Sequence, residues 1–175
     1  MATMYAVRAH VRGGPERLVY ETVPRPEPAK GEILLAVRAA AVTAGELAWD
    51  ATWTDRLDGS GHDRTPVIPA HEVSGTVAAI AEGAAAVGGL QIGDPVFGLL
   101  PFTRDGAAAE YVTAPAELLA PKPEALDHVH AAALPLAGST AWQALHDYAH
   151  VEPGHHVLVH GGAGGVGSIV VQLAA

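Results

Sequence analysis

HVLVHGGAGGVGSIVVQLAA, residues 156–175, decides how the rest of the chain is read. Its first five residues form a short apolar run of strand character, and Val166 opens an apolar run of helical length. Between the two stands Gly162-x-Gly164-x-x-Gly167. Strand, glycine turn and helix in that order are the context a dinucleotide fingerprint requires. A pyrophosphate needs hydrogen-bond donors and positive potential, and the first turn of a helix supplies both through unpaired amides and the macrodipole. On this reading Gly162 permits the tight turn, Gly164 leaves no Cβ between backbone and phosphate, and Gly167 lets helix and strand approach closely. Gly165 and Val166 complete the candidate cofactor-binding stretch. No Lys-Ser/Thr pair follows the glycines, which sets a P-loop aside.

The residue that reads the ribose 2′ position belongs about 20 residues beyond the glycines. That lies past Ala175, so the residues present do not separate NAD from NADP. One strand and one helix also do not make a parallel sheet covered on both faces. The expectation is an incomplete dinucleotide-binding unit, with residues 155–175 covered by a second copy (a homodimer) or by a further C-terminal segment of the same protein.

Upstream, the pattern is of short strands. Residues 4–10 and Leu18–Val23 read as strands around the turn Gly13-Gly14-Pro15, and Glu32–Val42 as a longer one buried on at least one face. Residues 50–66 read as a polar surface loop. Pro69–Ala81 reads as a strand with Gly75 as a bulge or close-approach point, and Gly83–Gly89 as a turn. Val96–Leu100 and Ala107–Thr113 read as strands joined by a hairpin at Asp105-Gly106. This spacing predicts a compact, barrel-like all-β unit. Asp127 then caps a helix to Ala133, and a second helix from Gly138 or Ser139 places Trp142, Leu145 and Ala149 on one face, with Trp142 in the core.

The composition is globular, with 49% hydrophobic and 17% charged residues among 175. A net charge of −9 disfavours nucleic acid as a partner. The absence of cysteine excludes disulfides and thiolate-held zinc. The chain shows neither a signal peptide nor 18 uninterrupted apolar residues, and the expectation is a cytoplasmic protein with no membrane partner.

Taken together, these features resemble the medium-chain dehydrogenase/reductase superfamily, in its zinc-independent NADPH:quinone oxidoreductase branch. The resemblance rests on Gly14-Pro15-Glu16, Pro28 with Gly31-Glu32, Pro69-x-His71-Glu72-x-x-Gly75, Gly93-Asp94-x-Val96, Gly106-Ala107 with Ala109-Glu110-Tyr111, AAALPLAGSTAW from Ala131, and Gly161–Gly167. It implies a mixed β and α/β fold: a GroES-like β-barrel domain over residues 1–125, then connecting helices and the first strand and helix of a Rossmann domain over 126–175. It also implies hydride transfer from NADPH to a quinone or an enone bound in the cleft between the domains. Zinc-containing relatives place ligands at positions that correspond to Thr43, His71 and Leu136, so the resemblance implies no metal here. Thr43 stands where zinc-free relatives carry Asn, and it is the candidate catalytic donor to the substrate carbonyl. Thr140 corresponds to a cofactor contact.

Other residues carry two readings. His71 is a hydrogen-bonded core residue, a remnant ligand or a proton donor, the first favoured. Trp49 and Trp53 line a substrate cleft or anchor a loop. His146 and His150 lack a third ligand and read as surface residues. Besides the oxidoreductase, the sequence admits a non-catalytic GroES-like binding or assembly module with a vestigial nucleotide turn, and an enoyl-reductase unit of a larger synthase.

Overall fold

The computed structural model describes residues 2–84 and 89–175; part of the expected turn at 83–89 lies outside these residues. Strands β1 (Thr3–Ala9) and β2 (Leu18–Pro24) pair antiparallel as a separate two-stranded sheet. The main sheet holds β3 (Glu32–Ala41), β4 (Glu72–Ile80), β5 (Pro95–Leu99), β6 (Tyr111–Pro115) and β7 (Leu119–Pro121), in the order β6-β3-β4-β5-β7. All its pairings are antiparallel. The mixed β and helical fold is as expected, but the barrel is not closed among the described residues. No ladder joins the two sheets among the described residues; isolated bridges run from Ala6 to Ala109 and from Ala9 to Val67.

In β3, Ile33, Leu34 and Leu35 are all buried, so the strand is covered on both faces. Ile33 and Leu35 pack with Val73, Val77, Val96 and Leu100 in the main core. Each such side chain contributes about 1.5–3 kcal/mol by burial. Met4, Ala6, Val23 and Ile68 form a second cluster beneath the small sheet. Gly75 is the close-approach point of the two alternatives, and the bulge beside it falls at Arg38 on β3. The β3–β4 register shifts between Val37 and Ala39, and a Cβ on Gly75 would run into the carbonyl of Ala36.

Three expectations are corrected. Asp105-Gly106 is not a hairpin turn, because β5 pairs with β4 while β6 pairs with β3 on the far side of the sheet. The dipeptide docks instead on the segment before β4. Gly106 N–H donates to the Ile68 carbonyl, Asp105 Oδ1 accepts from Ile68 N–H, and a Cβ on Gly106 would meet the carbonyls of Pro69 and Ala70. Residues 157–159 form no strand, because a strand needs a partner ladder and none exists among the described residues. Trp142 is not core but 54% exposed.

The helices are α1 (Asp50–Trp53), α2 (His128–Ala132), α3 (Pro135–Trp142) and α4 (Gly165–Leu173). α3 starts at Pro135, whose missing N–H suits the first helical position, and widens into a π-helix over Gln143–Tyr148. The extra residue per turn breaks the face expected to hold Trp142, Leu145 and Ala149, of which only Leu145 is buried. Asp127 caps α2 as expected, accepting from His130 N–H at 2.8 Å.

α2 packs on β3, β4 and β5, and a side-chain hydrogen bond ties it to β4. Ser74 Oγ donates to the Val96 carbonyl, so it accepts from His128 Nδ1–H at 2.8 Å. Burial, with the charges of Lys122 and Arg38, holds the His128 imidazole below its ordinary value, against the attraction of Asp127. A group whose folded pKa is depressed binds its proton more readily in the unfolded chain. Its contribution is therefore present above the unfolded pKa of about 6.5 and lost as pH falls from there through the folded value. Wild-type protein should lose more stability between about pH 7 and about pH 5 than His128→Gln. Urea midpoints at the two pH values measure this, and equal losses in both proteins would contradict it.

Candidate functional site

The glycine turn closes through Gly161, which takes the left-handed conformation at φ 72°. Gly162 is the next residue of the same turn, as expected, and its own φ is not positive. The signal for Gly161 was its place as the first glycine after the apolar run, one residue ahead of the fingerprint. Gly164 N–H donates to the Gly161 carbonyl at 2.9 Å, and Gly164 then stands as N-cap of α4 in an extended conformation. Its carbonyl accepts from Ser168 N–H. A Cβ on Gly167 would overlap the Gly161 carbonyl and come within 3.0 Å of Gly162 Cα. A glycine at 167 is thus required for the helix to fold back on its own turn. Gly164 and Gly165 are different. A Cβ on Gly164 would meet the Gly161 carbonyl at 3.3 Å, and one on Gly165 would meet nothing within 4 Å. Packing alone does not demand glycine at 165.

The N–H groups of Gly165, Val166 and Gly167, the first three residues of α4, have no acceptor within the helix. Gly164, Gly165 and Val166 are exposed, so these donors and the positive end of the helix dipole face outward at one place. This cradle fits a pyrophosphate. Thr140 lies on α3, which packs against α4, and its hydroxyl donates to the Leu136 carbonyl at 2.7 Å.

Thr43 sits on a different element, in the segment after β3. Its N–H donates to Glu46 Oε2 at 3.2 Å. The other oxygen of Glu46 accepts from Ala70 N–H at 2.7 Å and lies 2.9 Å from His71 Nδ1. His71 Nε2 donates to the Arg104 carbonyl at 3.0 Å, and the Phe102 ring lies against the imidazole with centroids 4.6 Å apart. Both side chains of the Glu46–His71 pair are 1% exposed. His71 is therefore the hydrogen-bonded core residue favoured from the sequence. Nothing local in the sequence singled out Glu46 or indicated its partners, which lie 24 and 25 residues away.

The three positions of the zinc site do not fit a metal. Thr43 offers no thiolate and Leu136 offers no ligand atom at all. Both nitrogens of His71 are engaged, leaving no free lone pair aimed outward. Glu72, beside them, accepts from Leu136 N–H at 2.9 Å. Its carboxyl is pushed up by burial and, more weakly, by the charge of Glu46, against the lowering effect of the Leu136 N–H and the Thr43 hydroxyl. Protein dialysed against zinc should retain far less than one equivalent by elemental analysis, and stoichiometric zinc lost on His71→Ala would overturn this reading.

The two tryptophans separate. Trp53 is 1% exposed, and its indole N–H donates to the Leu47 carbonyl. It is an anchor, and it also floors a cleft bounded by Thr43, Gly13, Gly14, Pro15 and Leu47. Trp49 is 38% exposed and meets Phe102 edge-on. Arg64 holds this region together by donating to the carbonyls of Thr52, Thr54 and Phe102. A second cleft opens between the small sheet and β6, walled by Met4, Val23, Arg104 and Tyr111. None of the site residues expected from the sequence lines it, and its Arg104 is committed to Glu32 and Thr113. His146 and His150 are exposed, joined only by a bond from His150 Nδ1 to the His146 carbonyl.

Comparisons with known proteins agree with this arrangement. Residues 29–124 match the alcohol dehydrogenase GroES-like domain. The synaptic vesicle membrane protein VAT-1 homolog of Mus musculus is 37% identical over 163 residues, covering 92% of this chain and 37% of the mouse protein. A mycobacterial quinone oxidoreductase superposes with a TM-score of 0.82 at 35% identity, over 98% of this chain and 49% of that one. A mycobacterial protein solved in complex with NADPH gives a TM-score of 0.79 at 35% identity, over 98% and 48%. The chain thus spans about half the length of these solved structures and less of the mouse relative.

Proposed function

Because the chain belongs to the alcohol dehydrogenase GroES-like family, within the medium-chain dehydrogenase/reductase superfamily, we propose that it works in a zinc-independent oxidoreductase that uses NADPH to reduce a quinone or an activated alkene such as an enone. The single observation that carries this reading is the glycine turn at the start of α4, where the helix's first three amides lack acceptors within it and Gly165 and Val166 are exposed. The preference for NADPH is supported by the mycobacterial complex with that cofactor, and the substrate class by the quinone oxidoreductase of similar fold.

When bound, the cofactor supplies the hydride. The chain supplies the rest. The amides of Gly165, Val166 and Gly167 hold the pyrophosphate, with Gly162 and Gly164 shaping the approach. Thr140 lies beside the cofactor. The Thr43 hydroxyl donates to the substrate oxygen on which charge develops. Exposed apolar residues at Trp142, Leu158, Val171 and Leu173 fit cover by further polypeptide, a second copy or more of the same protein. Among the described residues no helix is long and apolar enough to cross a membrane. A cytoplasmic setting, without nucleic acid or membrane as partner, completes the proposal.

The competing reading is a binding or assembly module with an unused turn, and it draws on the mouse relative, whose name specifies no reaction. Purified protein from the full reading frame decides between them. NADPH oxidation on addition of a quinone or an enone is expected, and no NADPH binding by calorimetry would leave the module reading standing. Gly164→Val sharpens the test. Its Cβ would stand 3.3 Å from the Gly161 carbonyl, a contact that a shift of a few tenths of an ångström relieves, and its branches would fill the space proposed for the phosphate. The KM for NADPH should rise at least ~10-fold, with stability changed by no more than about 1 kcal/mol. An unchanged KM would show that the turn does not hold the cofactor.

A further inference from the structure

Thr43 is half-buried in the segment between β3 and α1, and its hydroxyl faces the Glu72 carboxyl. Its N–H has one acceptor, Glu46 Oε2. Glu46 is in turn fixed from three directions. Ala70 N–H and His71 Nδ1 meet Oε1, and Thr52 Oγ donates to the Glu46 carbonyl at 2.6 Å. His71 passes the linkage on, because Nε2 donates to the Arg104 carbonyl and Phe102 covers the ring. One buried carboxyl group therefore connects the Thr43 segment, the entry to β4 and the 102–104 loop.

We propose that Glu46 is a positioning residue for the reaction, acting through Thr43 by setting where its hydroxyl stands relative to the substrate; the proposal rests on the assignment of Thr43 above. Donor and acceptor bookkeeping makes the role specific. Each of the two Glu46 oxygens receives a backbone N–H. A glutamine has one oxygen and one NH2 group, so in either orientation it sets a donor against a donor, at Thr43 or at Ala70. His71 adds to the restraint: Nε2 donates to the Arg104 carbonyl and Nδ1 lies 2.9 Å from Oε1. The pair cross-links three segments at the location where zinc-containing relatives use a metal. The left-handed backbone of Ala70, at φ 71°, is held on both sides, by Glu46 on its N–H and by Ala107 N–H on its carbonyl.

The experiment is a double-mutant cycle on the full-length protein, with NADPH and a quinone as substrates, over Glu46→Gln and Thr43→Ala. Glu46→Gln should lower kcat roughly 10- to 100-fold, the scale of a displaced catalytic group, with the KM for NADPH within about 2-fold of wild type. In the Thr43→Ala background the same change should cost less than about 2-fold in kcat. A full, additive loss in that background would overturn the positioning role while leaving Thr43 in place. No effect of Thr43→Ala alone would overturn the Thr43 assignment, and the inference with it. Urea unfolding accompanies each variant, and Glu46→Asp, which keeps the carboxyl but shortens its reach, repeats the cycle if Gln does not fold. Failure of both to fold would also overturn the proposal, since the pair would then serve the fold rather than the site.

Discussion

Glu46 receives the backbone N–H groups of Thr43 and Ala70 on its two oxygens and meets His71 Nδ1 as well, with the side chains of both Glu46 and His71 almost fully buried. A buried ionisable pair of this kind is not a cheap source of stability, because desolvating the two groups offsets most of their attraction. Breaking it is another matter: removing one partner of a buried pair typically costs about 3–5 kcal/mol. The pair therefore specifies geometry more than it adds net stability. Three segments distant in sequence are held in one arrangement, and the candidate donor Thr43 inherits its position from them.

Close backbone approaches do the complementary work elsewhere. A Cβ on Gly75 would strike Ala36, and one on Gly106 would strike Pro69 and Ala70. These two glycines bring β3 against β4 and the 105–106 segment against the entry to β4, which is what encloses His71. Gly167 does the same for the nucleotide turn, where it lets α4 lie against Gly161. In each case the missing side chain is the condition for a contact between main chains, so hydrophobic burial alone would not reproduce the site.

The two halves of the candidate site differ in what surrounds them. Thr43, Glu46 and His71 stand against a packed core in which Ile33, Leu35, Val73 and Val96 are fully buried. The glycine turn rests on α3 and α4, whose outer faces leave Trp142, Val171 and Leu173 exposed, and Leu158 ahead of the turn is 82% exposed. An apolar helix uncovered on one side is a surface on which further polypeptide is expected to pack.

Much of this was determined by local sequence. The glycine spacing, the strands β1 to β4, the Asp127 cap and the close approach at Gly75 are all read from neighbouring residues, because period, capping and steric freedom act over a few positions. Tertiary structure decided the rest. Whether β5 and β6 form a hairpin depends on which edges of β3 and β4 are free, not on the Asp105-Gly106 dipeptide between them. Whether Trp49 or Trp53 is buried depends on what packs over each, and both look alike in the sequence. A strand at 157–159 requires a neighbour to pair with, which its own apolar residues do not provide. The Glu46–His71 pair was beyond local reading for the same reason: an acid and a histidine 25 residues apart meet only when folding buries both side chains together.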